Sequence, residues 1–180
     1  MNLAAWQQQL RSRWDLLAPR ERDVKYRADH LNGRWIIRTD WQAPNYRLMT
    51  VAADKLGDRA NWQPLLAHDD NIFIQSFALF NDYLAISERS DGLRRIRVMP
   101  WQAPEKAFYV KSDEAAYVTG FEMNAEQNTQ LLRYTYTSLT TPASVYQLNM
   151  ATGERTLLKQ QEVLGDFDKA NYVTERVWAP

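Results

Sequence analysis

The 180-residue chain has no cysteine, two histidines and six glycines, and its 22 basic side chains are balanced by 22 acidic ones. Without cysteine there are no disulfides, thiolate nucleophiles or thiolate metal ligands. That agrees with a reducing compartment, and a cytoplasmic, soluble protein is expected. The glycines (Gly33, Gly57, Gly92, Gly120, Gly153, Gly165) are scattered. A phosphate-binding loop or a dinucleotide fingerprint needs several glycines in one turn, so both are excluded. None flanks a serine as Gly-x-Ser-x-Gly, which excludes the strained elbow of an α/β-hydrolase nucleophile. Zero net charge argues against nucleic acid, whose binders concentrate basic charge on one face. The nearest basic cluster, Arg94, Arg95 and Arg97, reads as a solvated strand face. No apolar run approaches the length of a membrane span. The opening Met1-Asn2-Leu3-Ala4-Ala5-Trp6 lacks the basic and apolar regions of a signal peptide.

Short apolar runs separated by turn residues are what the chain does have. Residues 1–13, rich in Ala, Gln and Leu, are compatible with a short helix. From Trp14 onward three similar units of four strands follow. The first comprises Val24–His30, Arg34–Trp41, Tyr46–Ala53 and Trp62–Ala67, with Asn32-Gly33 as a hairpin turn because both residues tolerate positive φ. The second comprises Ile74–Phe80, Tyr83–Arg89, Leu93–Met99 and Phe108–Lys111, turning at Asn81-Asp82 and at Ser90-Asp91-Gly92. Ala116–Met123, Gln130–Thr137, Ser144–Met150 and Arg155–Gln160 make the third, with Ala151-Thr152-Gly153 as its last turn. Leu132, Tyr134 and Tyr136 alternate with polar residues, the period of a half-buried strand. Trp35, Tyr83 and Leu131 head equivalent runs at a constant interval of 48 residues. A repeat near that length built of strands is the signature of propeller blades. The tetrapeptide Trp-Gln-Ala-Pro, at Trp41–Pro44 and Trp101–Pro104, falls at different places in two units and carries no repeat.

Groups that could do chemistry are sparse. His68-Asp69-Asp70 resembles a metal cluster, but adjacent residues on a turn do not converge on one ion, and a solvated loop is the better reading. His30 sits beside a hairpin turn. Asp166 and Asp168, flanking Phe167, are the closest carboxylate pair, in a loop where acids serve turn chemistry. An independent carbohydrate-active enzyme would have to be built on them. Trp35, Trp41, Trp62 and Trp101 lie within or at the ends of strands, which favours packing over a sugar-stacking surface. No catalytic, cofactor-binding or metal-binding residue is assigned, and no cofactor is expected.

The stretch Gln75-Ser76-Phe77-Ala78-Leu79-Phe80-Asn81-Asp82-Tyr83-Leu84, with Glu88-Arg89 and Gly92-Leu93, resembles the propeller domain of the oligopeptidase B (protease II) branch of the prolyl oligopeptidase family. The likeness sharpens at Leu132-Arg133-Tyr134, at Ser138-Leu139-Thr140-Thr141-Pro142 and at Met150-Ala151-Thr152-Gly153-Glu154-Arg155. It continues through Leu158-Lys159-Gln160, Glu162-Val163 and Ala170-Asn171-Tyr172 to Glu175-Arg176-Val177-Trp178. The resemblance implies a seven-bladed propeller that caps an α/β-hydrolase domain carrying a Ser/Asp/His triad, with short peptides cleaved after Lys or Arg. It implies that this chain holds about the last three blades and that the triad lies beyond Pro180.

The expectation is therefore an all-β chain of about three four-stranded antiparallel blades: an N-terminal segment (1–13), a partial propeller (14–171, blades near 24–67, 74–111 and 116–161) and an exit segment (172–180). Its partners would be the hydrolase domain and, in the whole enzyme, short peptides; nucleic acid and membrane are not expected. Blades stripped of neighbours expose apolar faces, so self-association is also expected. A stand-alone interaction module is the alternative function.

Overall fold

The computed structural model describes residues 15–179. The helix expected over 1–13 lies outside the described residues. Among the described residues twelve strands form three four-stranded antiparallel sheets, each meandering in chain order. The first contains β1 (Tyr26–Leu31), β2 (Arg34–Thr39), β3 (Arg47–Ala52) and β4 (Gln63–Leu66). The second contains β5 (Phe73–Leu79), β6 (Tyr83–Ser90), β7 (Leu93–Pro100) and β8 (Phe108–Tyr109). The third contains β9 (Val118–Phe121), β10 (Leu131–Thr137), β11 (Ser144–Asn149) and β12 (Arg155–Gln160). Among the described residues the helical elements are four single 3-10 turns. The repeat seen in the sequence falls on β2, β6 and β10, the second strand of each sheet.

The chain divides into two compact units at His68/Asp69. In the first, β1 and β2 meet at Leu31 and Arg34 across a two-residue turn. Asn32 and Gly33 there have φ of 48° and 77°, a pairing whose twist suits a tight hairpin. The open end of that hairpin is closed by Lys25 N donating to Asp40 Oδ1 at 2.7 Å and Thr39 Oγ1 donating to Lys25 O at 3.0 Å. Ile37 pairs with Met49 and Trp35 with Val51, so one face of β2 and β3 is apolar. Ala18 and Trp62 complete the buried cluster on it. Trp41 meets Trp62 edge-on at 6.4 Å, and the Arg47 guanidinium stands 4.9 Å from the Trp41 ring centre. Trp35, Trp41 and Trp62 are thus packing elements.

The second unit holds the second and third sheets around one core. Phe80, just after β5, with Ala85, Ile96 and Val98 of the second sheet, buries against Leu132, Tyr134, Tyr136 and Leu148 of the third and Met150 just after β11. Each fully buried side chain of this kind contributes roughly 1.5–3 kcal/mol. Leu84, Ala85 and Ile86 are all fully buried, so β6 loses the period-two pattern because both its faces are covered. The third sheet keeps that pattern: Leu132, Tyr134 and Tyr136 point inward while Leu131 and Arg133 are exposed. Asp91 and Gly92, with φ of 50° and 72°, form the β6–β7 hairpin turn.

One sequence expectation fails here. The arginines of β7 are half-buried, and Arg97 is far from a solvated face. Its guanidinium pairs at 3.0 Å with Glu88, which is fully buried on β6. The diagonal register of the two strands hides that pair from a reading of β7 alone.

Candidate functional site: the Glu114 carboxylate

After β8 the chain crosses to the third sheet through residues 110–117, and this linker carries the densest polar cluster of the second unit. Val110 N donates to Ile96 O at 2.9 Å, extending the second sheet by one bond. Arg155, at the start of β12, then grips the linker twice. Its Nη1 donates to Lys111 O at 3.0 Å and its Nη2 pairs with Asp113. The same guanidinium lies 5.7 Å from the ring centre of Tyr146, which stacks on Tyr134. β8 is therefore two residues shorter than Phe108–Lys111.

Glu114 comes next, and its side chain is only 8% exposed. Its Oε1 accepts from Ser138 Oγ at 2.6 Å, from Thr140 Oγ1 and, more distantly, from Thr174 Oγ1 at 3.4 Å. Its Oε2 accepts from Tyr136 OH at 2.6 Å and from Thr141 Oγ1 at 2.7 Å, and pairs with Lys169 Nζ at 3.7 Å. Lys169 also donates to Thr141 Oγ1 at 2.6 Å, and Thr140 Oγ1 lies 3.2 Å from Thr174 Oγ1. Five hydroxyls and one ammonium thus surround one carboxylate.

The Ser138–Thr141 turn is shaped for this task. Ser138 Oγ accepts from Thr141 N at 2.8 Å and Thr140 N at 3.1 Å, while Ser138 N donates to Thr141 O at 3.0 Å. Such a turn satisfies its own backbone and frees the hydroxyl hydrogens to converge on Glu114. Leu139, the residue of this turn with no hydroxyl to give, points out and is 89% exposed. Pro142 ends the turn, and its carbonyl accepts from Ser144 Oγ at 2.6 Å.

The electrostatics follow. Burial alone would raise the Glu114 carboxyl, but donation from Ser138, Thr140, Tyr136 and Thr141 outweighs it and brings the group down to about 2. Tyr136 moves the other way, raised by burial and then by its bond to the carboxylate. A carboxylate so fully satisfied is a poor general base, and its neighbours hold no activated nucleophile. The site ties segments together.

What it ties is the chain beyond β12. Lys169 opens a 3-10 turn, Lys169–Asn171, capped by Asp168, whose carboxylate accepts from Ala170 N at 2.9 Å. Thr174 follows and is buried, whereas Tyr172 and Val173, between Asn171 and Thr174, are exposed. Arg176 then reaches the β6–β7 hairpin, where its Nη2 donates to Asp91 O. Its guanidinium also faces the Trp178 ring at 4.4 Å. The segment therefore contacts the third sheet at Thr174 and the second at Arg176.

The residues singled out from sequence lie elsewhere. Asp168 caps a turn, as loop acids do. His30 faces Trp35 edge-on at 5.3 Å, and Asp69 Oδ1 accepts from Asn71 N at 2.8 Å within its own turn. Among the described residues no group of three or more His, Asp or Glu side chains could hold a metal ion. Glu114, Lys169 and Thr174 carry no individual signal in the sequence. The signal present was the hydroxyl density of Ser138-Leu139-Thr140-Thr141, which a lone buried acid can exploit.

The comparisons with known proteins agree with this architecture. Residues 3–161 match the family model of the prolyl oligopeptidase N-terminal β-propeller domain. The chain is 48% identical over 166 residues to dipeptidyl aminopeptidase BI of Pseudoxanthomonas mexicana, covering 92% of itself and 22% of that protein. To Protease 2 of Moraxella lacunata it is 26% identical over 164 residues, covering 91% of itself and 23% of the relative. Among solved structures, oligopeptidase B from Leishmania major superposes with a TM-score of 0.78 at 28% identity, over 89% of this chain and 24% of that one. Oligopeptidase B from Trypanosoma brucei, in a closed form with covalently bound antipain, gives 0.78 at 26% identity, over 87% and 23%. The chain thus spans less than a quarter of the length of these relatives. Strand order, repeat and family match together place it in the prolyl oligopeptidase family, as part of the N-terminal β-propeller domain.

Proposed function

We propose that this chain is a non-catalytic part of the propeller of an oligopeptidase B-like serine peptidase, where blades restrict which peptides reach a Ser/Asp/His site in an α/β-hydrolase domain. The observation that carries the reading is the family match over residues 3–161, joined to a polar site whose saturated carboxylate ties segments together. In the whole enzyme the substrates would be short peptides, cut after Lys or Arg, and the mechanism supplied by these residues would be steric selection. The 48% identity to a protein named dipeptidyl aminopeptidase favours a second reading of the same class, release of dipeptides from a free N-terminus.

Reading the gene downstream of Pro180 tests the first part of this proposal. A continuing frame with Gly-x-Ser-x-Gly supports it, and an immediate stop codon overturns it. The product of that frame would then be offered two coumarin substrates, one N-terminally blocked with arginine at the cleaved bond, one an unblocked dipeptide. Turnover of the first alone supports cleavage after Lys or Arg. Turnover of the unblocked dipeptide alone overturns it in favour of dipeptide release.

Self-association belongs to the same proposal. Leu157 and Leu158 on β12 and Leu164, Val173, Val177 and Trp178 beyond it are exposed, an apolar excess unusual on an isolated surface. Light scattering on the eluted chain at micromolar concentration should give a mass above 21.1 kDa, and a stable monomer would contradict it. A cytoplasmic location completes the proposal, supported by the lack of cysteine.

A further inference from the structure

The segment after β12 touches the second unit at two places of opposite character. The first contact is the Glu114 cluster, where Thr174 is buried and Lys169 bonds both the carboxylate and Thr141. Its hydroxyls come from β10, from the Ser138–Thr141 turn and from the segment itself, so every member is held by more than one bond. The second contact is one guanidinium donating to one carbonyl, Asp91 O, at the exposed tip of the β6–β7 hairpin. Gly92 leaves room for the approach. It sits at φ +72°, and a Cβ there would lie 3.2 Å from Arg176 Nη2. Beyond it Val177 and Trp178 are 85% and 75% exposed. Glu175, between the two contacts, is exposed.

We propose that residues 169–178 form a strap with a fixed end at Glu114, a releasable end at Arg176, and a pivot at Glu175. With both ends seated, the strap staples the third sheet to the second and fixes the direction in which the chain leaves the blades. When Arg176 leaves Asp91, the chain up to Thr174 stays in place and the chain after Glu175 swings. A weakly held exposed contact opens long before a buried, multiply bonded one, because local openings follow the number of buried bonds broken. The pivot is a property of these contacts and does not rest on the proposed function.

The absence of cysteine makes the test direct. A nitroxide spin label is attached to a single cysteine placed by Val173→Cys or by Val177→Cys, both exposed positions. In the otherwise unaltered 180-residue chain the label at 173 should give a broad, slow-motion spectrum. Arg176→Gln should sharpen the spectrum at 177 and leave that at 173 broad. Glu114→Gln should sharpen both. If Glu114→Gln does not fold, Thr174→Val and Lys169→Met each weaken the fixed end alone and should sharpen the spectrum at 173. The proposal is overturned if Arg176→Gln mobilises 173 as much as 177, or if weakening the Glu114 end leaves 173 broad. The readout is strap motion, so it stands or falls independently of any peptidase activity.

Discussion

The Tyr136 hydroxyl donates to the Glu114 carboxylate at 2.6 Å, and the two groups displace each other's protonation in opposite directions. Burial and then this bond raise the phenol, and the same bond, with those from Ser138, Thr140 and Thr141, outweighs burial to lower the carboxylate. That single contact joins the strand β10 to the linker between two blades, and four further hydroxyls draw in the Ser138–Thr141 turn and the strap.

Acid should therefore loosen the second unit. Glu114 titrates near 2 when folded and near 4.5 when free, so its contribution is complete above about pH 4.5 and is lost as pH falls toward 2. A displacement of that size sets an upper bound of about 3 kcal/mol, which solvent screening reduces. Urea midpoints measured at intervals from pH 6 to pH 2.5 should fall steeply for the unaltered chain. Glu114→Gln should be less stable at pH 6 and show a much flatter profile.

Removing one donor separates the hydrogen bond from the aromatic packing. Tyr136→Phe keeps the ring, stacked on Tyr117 at 5.5 Å, and takes away the hydroxyl. The carboxylate then lacks one close partner, which should cost about 1–3 kcal/mol. The Glu114 carboxyl should rise toward the ordinary range, visible in an NMR titration of the side-chain carbon. An unchanged titration would mean that the remaining hydroxyls compensate fully.

Much of this fold is legible in the sequence, and the reason is local. Asn32-Gly33 and Asp91-Gly92 declare their turns because few other residues accept positive φ, and strand ends follow from the turns. Gln130–Thr137 is found at Leu131–Thr137 and Arg155–Gln160 without change. The polar site is less legible. Glu114, Tyr136, Thr141, Lys169 and Thr174 come from four segments up to 60 residues apart, and only the folded blade brings them together. Arg97 fails for a similar reason: its partner Glu88 lies diagonally across a strand pair, so the charge run on β7 looks solvated until the register is known.

That pair yields a second stability test. Glu88 is fully buried, pairs with Arg97 at 3.0 Å, and accepts from Tyr109 OH at 2.5 Å. Burial first, then the bond to Glu88 and its charge, push the Tyr109 phenol up to about 12. Arg97→Met should leave Glu88 as an uncompensated buried charge and cost about 3–5 kcal/mol. The double change Arg97→Met with Glu88→Gln should recover part of that loss, measured by urea unfolding. No recovery would show that Arg97 acts through packing instead.

Two hairpin glycines separate backbone strain from strap contact. Gly33 and Gly92 both have positive φ, but a Cβ at Gly33 meets nothing within 4 Å whereas at Gly92 it meets Arg176. Replacing either by alanine should cost about 1 kcal/mol in backbone strain. Only Gly92→Ala should also speed tryptic cleavage after Arg176. Equal acceleration by Gly33→Ala would contradict the seating of Arg176 on this hairpin.

The central claim is that these residues hold blades together and carry no nucleophile of their own, a claim addressed directly by labelling the purified 180-residue chain with a serine-reactive fluorophosphonate. The expected result is no specific incorporation, with a known serine peptidase labelled in parallel. Stoichiometric, heat-sensitive labelling of this chain at a single serine would contradict it.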